Sequence, residues 1–148
     1  MKYHAEQVID APRERVWRAF DNPDNLPKWQ PTLKSFEPKS GTPGQPGAVA
    51  ELVYEERGRR VVMTETITER REPDFLAGSY ESTWGTTMIV NHFEALDGGR
   101  TKWSVWCNFR FRGLMRLMSL FMAGSIRRRT DADLARFRAL VESGEAGP

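Results

Sequence analysis

The order of periodicities in this sequence predicts an α+β fold: one antiparallel sheet with helix packed on one face. Three observations carry that expectation. Between Gly47 and Phe111, strand-like runs follow one another with only turn-sized links. After Gly113 the apolar residues change to helical spacing and keep it to Val141. Ahead of both, a strand-like opening leads into two short helical segments punctuated by prolines.

Residues 2–9 alternate loosely and read as a strand, broken by Asp10-Ala11-Pro12. Asp10 or Ala11 precedes a helix with Pro12 near its first position, where a missing N–H leaves nothing unsatisfied. Val16, Ala19 and Phe20 form its apolar stripe, Trp17 lies beside it, and Asp21-Asn22-Pro23 stops it. A second short helix is expected over 23–29, ended by Pro31, and 32–37 is a candidate short strand. Gly41, Gly44 and Gly47, with Pro43 and Pro46, invite comparison with a phosphate loop. The Lys-Ser/Thr ending and the dinucleotide spacing are both missing, so the segment reads as a strand-connecting loop. Strands are then expected over 48–56, 59–69, 75–83, 86–95 and 100–111. Arg57-Gly58, Glu72-Pro73-Asp74, Trp84-Gly85 and Asp97-Gly98-Gly99 link them. Links this short favour antiparallel hairpins, because a parallel crossover needs about a dozen residues or more. Leu114, Met118, Phe121 and Ile126, then Leu134, Phe137, Leu140 and Val141, mark a closing helix between Gly113 and Gly144.

Composition sets the outer limits. At 148 residues and 39% hydrophobic content, the chain suits one core-forming domain, drawn here as 1–143 with a frayed tail at 144–148. Such a content argues against intrinsic disorder. A lone cysteine, Cys107, excludes an intramolecular disulfide framework, and neither His4 nor His92 has metal-ligand spacing, so no metal site is expected. The formal charge of +2 hides an asymmetry, −4 over residues 1–99 and +6 over 100–148. The Arg127-Arg128-Arg129 run reads either as a solvated helix face or as a contact for an anionic surface or ligand. It has no aromatic interleaving of its own, and no nucleic-acid partner is expected. No apolar stretch follows Lys2, and 114–126 is shorter than the ~20 residues of a spanning helix, so a cytoplasmic protein is expected.

Alternation along the strands selects the residues that face the helix. Trp103, Val105, Cys107, Phe109 and Phe111 share one face of the last strand, with Trp106 on the other. Leu52 and Tyr54 lie on one face of 48–56, and Met63, Glu65 and Ile67 on one face of 59–69. Glu65 is a carboxylate on an apolar face. Such a group is either desolvated in a cavity, or turned outward by a bulge, or placed at the sheet rim. In 86–95 the inward set is either Thr87, Ile89, Asn91 and Phe93 or the alternate residues; Phe93, beside a turn, favours the first. His92 then faces outward. Tyr80 faces inward with Leu76 and Gly78.

Ile9-Asp10-Ala11-Pro12, Val16-Trp17, Asn25-Leu26-Pro27-Lys28-Trp29 and Pro31 together resemble the opening of the START-like SRPBCC superfamily. Glu65-Thr66-Ile67-Thr68-Glu69 with Pro73, Gly98-Gly99-Arg100-Thr101, and Asp133-Leu134-Ala135-Arg136-Phe137 with Glu142 extend the likeness over nearly the whole chain. It is most similar to the polyketide cyclase/dehydrase-type branch. The resemblance implies a helix-grip fold, with a seven-stranded antiparallel sheet wrapped around a long C-terminal helix. It also implies an elongated apolar cavity and mainly non-covalent binding of hydrophobic molecules such as lipids, steroids, polyketides or quinones; no cofactor is expected.

The expected partner is therefore a hydrophobic small molecule. Trp29, Leu52, Tyr54, Met63, Tyr80 and Phe93 form one part of the expected lining. Trp103, Val105, Cys107, Phe109, Met118, Phe121 and Met122 form the other, with Glu65 and Asn91 as polar anchors. The alternative is a cofactor-free cyclase or dehydratase in which Glu65 is the acid or base and Tyr80 a hydrogen-bond donor. No Gly-x-Ser-x-Gly elbow is present, and Cys107 on an apolar strand face reads as a small hydrophobe. Residues 114–126 are apolar over more than one helical stripe. Part of the segment should close the cavity; core packing is the leading reading, and a homodimer contact, a cavity mouth or a peripheral membrane contact are the others.

Overall fold

A computed structural model describes residues 1–147. Strand β1 (Lys2–Ile9) leads into α1 (Arg13–Asp21), a 3₁₀ turn (Pro23–Asn25) and α2 (Leu26–Trp29). Strands β2 (Leu33–Ser40), β3 (Val49–Glu56), β4 (Arg59–Arg71), β5 (Phe75–Ser82), β6 (Gly85–Leu96) and β7 (Arg100–Phe111) follow, and α3 (Leu114–Ser143) closes the chain. All strand pairings are antiparallel, in the order β1-β7-β6-β5-β4-β3-β2. The expected α+β helix-grip arrangement is therefore present. β1 and β2 are neighbours in sequence but opposite edges of the sheet, so α1 and α2 must bridge the gap between them.

Local chemistry explains the boundaries. Pro12 caps α1 from outside, its carbonyl accepting from Arg15 and Val16, so the first helical residue is Arg13, one later than Pro12. Gly144 ends α3 with φ +81°, a left-handed cap that glycine adopts without strain. Beyond it Ala146 packs against the core and its carbonyl accepts from Asn25 Nδ2 at 3.4 Å. Pro148 lies outside the described residues.

Aromatic side chains make the core. Trp103 meets Phe137 at 4.9 Å between ring centroids, Phe20 meets Phe93 at 5.1 Å, and Trp29 meets Phe137 at 5.2 Å. Most are edge-to-face pairs, the arrangement that the ring quadrupole favours. Polar side chains tie the layers together. Thr101 Oγ1 donates to the Ala11 carbonyl at 2.7 Å, Trp103 Nε1 to Asn91 Oδ1 at 3.1 Å, and Arg15 Nη2 to the Val141 carbonyl at 2.6 Å. The Tyr3 hydroxyl donates to Asp131, joining β1 to α3. Arg70 forks onto Asp21 at 2.7 and 2.8 Å, reaches the Gly44 carbonyl and lies 5.1 Å from the Trp17 ring.

Two expectations are corrected. Phe93 is fully buried between Trp17, Phe20 and Trp103, so it belongs to the packed core beneath α1 and not to a cavity wall. The first half of α3 is not core: its buried residues begin at Ile126. Met118 is 39% exposed and Phe121 89% exposed, and neither is among the residues that border the cavity.

Candidate ligand cavity

Pairing register aligns one inward row across the sheet. Glu65 lies opposite Ala50 and Tyr80, Tyr80 opposite Thr87, and Thr87 opposite Phe109. The bulge in β4 falls between Ile67 and Glu69, after Glu65, so the carboxylate stays on the face turned to α3. Between this face and α2 and α3 lies a cavity of about 420 Å³. It falls within the roughly 300–1,000 Å³ of small-molecule sites.

Leu52, Met63, Val105, Cys107 and Phe109 line it from the strands, with Trp29 from α2 and Met122 from α3. Tyr54, Glu65, Tyr80, Asn91 and Trp103 also border it. The lining extends to two groups of residues outside the central row. One is Asp21, Pro23, Pro43 and Gly44. The other is Trp84, Gly85, Arg110 and Phe111, beside the start of α3. At that second end Gly85 holds φ +149°, and a Cβ there would stand 2.1 Å from the Arg110 carbonyl oxygen. No larger residue fits without opening the β6–β7 pairing.

The polar groups form separate centres. The Tyr80 hydroxyl donates to Glu65 Oε2 at 2.7 Å. Burial raises the Glu65 carboxyl above its ordinary range, while the Tyr80 hydrogen bond pulls the other way. Burial, then the neighbouring Glu65 charge, holds the Tyr80 phenol protonated. The Tyr54 hydroxyl donates to Gln30 Oε1 at 3.0 Å. Asn91 is committed to the fold: its Oδ1 accepts from Trp103, and its Nδ2 reaches the Leu76 carbonyl at 3.4 Å. Burial pushes the Cys107 thiol up to about 11, so it stays an unreactive thiol at neutral pH. Trp29 Nε1 is buried and has no hydrogen-bond partner among the described residues. An indole N–H so placed is an unmet donor on a cavity-lining side chain.

The polar contributors missing from the expected lining include Gln30 and Asp133. Gln30 follows Trp29 and presents no pattern of its own. Asp133 borders the cavity and has its carboxyl raised to about 6, chiefly by burial, against the lowering effect of Arg136 and Arg129. Ile126, Arg129, Thr130 and Asp133 all line the cavity and sit at helical i, i+3, i+4, i+7 spacing. That spacing was the available signal.

The sequence profile for polyketide cyclase/dehydrase and lipid transport matches residues 1–142. The chain belongs to that family. Solved structures agree in fold. The Zhui aromatase/cyclase from Streptomyces sp. R1128 superposes with a TM-score of 0.81 at 16% identity, covering 98% of this chain and 96% of that one. A protein from Thermus thermophilus gives 0.81 at 16%, covering 97% and 99%. The protein Ara h 8.0201 gives 0.77 at 20%, covering 97% and 98%. No curated protein matches in sequence. Identities this low speak for shared architecture alone, and the cavity residues of this polyketide cyclase/dehydrase-family member must be read on their own chemistry.

Proposed function

We propose that this protein binds a hydrophobic small molecule carrying at least one acceptor oxygen, such as a lipid, polyketide, steroid or quinone. The cavity carries this reading: about 420 Å³ walled mainly by aromatic and aliphatic side chains, with polar groups set among them. Apolar walls supply affinity, and the polar groups select orientation. The Glu65–Tyr80 pair is suited to a carbonyl or hydroxyl on an otherwise greasy ligand. Carriage, sequestration or sensing in the cytoplasm is part of the proposal.

Trp29, Trp84 and Trp103 border the cavity, so binding is read from intrinsic fluorescence. Titration with a fatty acid, a naphthoquinone and an aromatic polyketide should give saturable quenching with at least one. Flat responses to all three would sink the proposal.

One observation favours a second reading, catalysis of a cyclisation or dehydration. Glu65 is a partly desolvated carboxyl whose proton affinity burial raises, and it is held in place by the Tyr80 phenol, an arrangement suited to an acid–base group. Here Glu65 exchanges a proton with the substrate, and the Tyr80 hydroxyl, released from Glu65 once that carboxyl is protonated, donates to the substrate carbonyl. Glu65→Gln preserves an acceptor for Tyr80 but cannot exchange the proton. It should abolish turnover and leave binding within about threefold. Turnover that survives Glu65→Gln removes the catalytic role.

A further inference from the structure

The first half of α3 exposes Leu114, Leu117, Leu120 and Phe121, with Leu120 at 77% and Phe121 at 89%. At helical spacing Leu114, Leu117 and Phe121 form one stripe, and Arg128 continues it one turn beyond Gly124. The opposite side of this segment carries Met122 and Ile126, which face the cavity. One helix half therefore borders the cavity on one side and presents large apolar side chains to solvent on the other. Its start lies beside the cavity end formed by Trp84, Gly85 and Phe111, and the Arg112 N–H donates to the Trp84 carbonyl there at 2.8 Å.

Charge selects what covers this stripe. From Gly98 to Thr130 the chain holds eight Arg and Lys residues and no Asp or Glu. Arg116, Arg127 and Arg128 show no ion pair among the described residues, whereas Arg112 and Arg129 are engaged by Glu81 and Glu56. A second copy docked on the same face about a two-fold axis would set these unpaired arginines against one another. An anionic bilayer complements both features: headgroups meet the arginines while the apolar stripe enters the acyl boundary.

We infer that the exposed apolar stripe of α3, framed by Arg116, Arg127 and Arg128, docks this protein on anionic lipid membranes with the second cavity end at the bilayer surface. Docking there shortens the path between bilayer and cavity. It needs no cargo, so an empty cavity leaves the inference intact, and failure to dock leaves the binding proposal intact.

Flotation with phosphatidylcholine vesicles, with and without about 30% phosphatidylglycerol, tests it. The full-length protein should float with the anionic vesicles at low salt and less as salt rises. Leu117→Ser/Phe121→Ser should lower the bound fraction about tenfold or more, and Arg116→Gln/Arg127→Gln/Arg128→Gln should lower it and flatten its salt dependence. Circular dichroism melting of both variants should match the wild type, since none of these side chains is buried. Protein that never floats overturns the inference, as does flotation indifferent to Leu117→Ser/Phe121→Ser. Light scattering that shows a dimer dissolved by that same variant, without flotation, assigns the stripe to a second copy and overturns it too.

Discussion

At the scale of single residues, the cavity holds two carboxyls whose protonation is set by burial. Asp133 keeps its proton to about pH 6 in the folded protein, against an ordinary value of 3.8. The unfolded chain releases that proton first. The stability linked to the group is therefore complete below the ordinary aspartate range and declines as pH rises through about 6. Asp133→Asn, neutral at every pH, should gain melting temperature over the wild type at about pH 8 and much less at about pH 4.5. An equal difference at both pH values would contradict this origin. Glu65 obeys the same sign, and the Tyr80 hydroxyl is its hydrogen-bond partner. Tyr80→Phe should cost about 1–3 kcal/mol in urea unfolding, with the loss growing as pH rises and the carboxylate ionises. A loss independent of pH would place the damage in packing.

Among the elements, Arg70 on β4 has the widest reach. It joins β4 to α1 through Asp21, to the loop before β3 through Gly44, and to Trp17 through the ring face. Lysine keeps the charge but has no planar fork to match a carboxylate. Arg70→Lys should therefore destabilise by about 1–3 kcal/mol in urea unfolding, and a change below about 0.5 kcal/mol would show the fork to be incidental. Element boundaries were legible in the sequence wherever a local rule governs them. Alternation gave Trp103, Val105 and Cys107 inward and Trp106 outward, where it is 43% exposed and stacks on His4 at 4.8 Å. Proline and glycine marked both ends of α1 and α3. What alternation cannot say is which layer covers a given stretch of strand. One face of β6 meets the cavity at Thr87, Ile89 and Asn91 and then the aromatic core under α1 at Phe93. Periodicity treats these four residues alike.

The whole molecule decides what the apolar residues are for. Phe121 and Phe137 share one helix and one chemistry, yet one is almost fully exposed and the other fully buried. Composition records hydrophobicity but not the presence of a covering layer, so core packing was the wrong expectation for 114–126 apart from Met122 and Ile126. The tryptophans divide in the same way. Trp17 stiffens the frame, Trp29, Trp84 and Trp103 border the cavity, and Trp106 covers the outer face of β1 and β7. The cavity between sheet and helices is the feature from which the proposed function follows. Native mass spectrometry of gently purified protein tests its occupancy most directly, alongside Met63→Trp, which sets a large ring into the lining. The expected result is one retained apolar molecule per wild-type chain, displaceable by a binding panel ligand, and none on folded Met63→Trp. Wild-type protein that carries nothing, and takes up no lipid, quinone or polyketide when supplied, would contradict it.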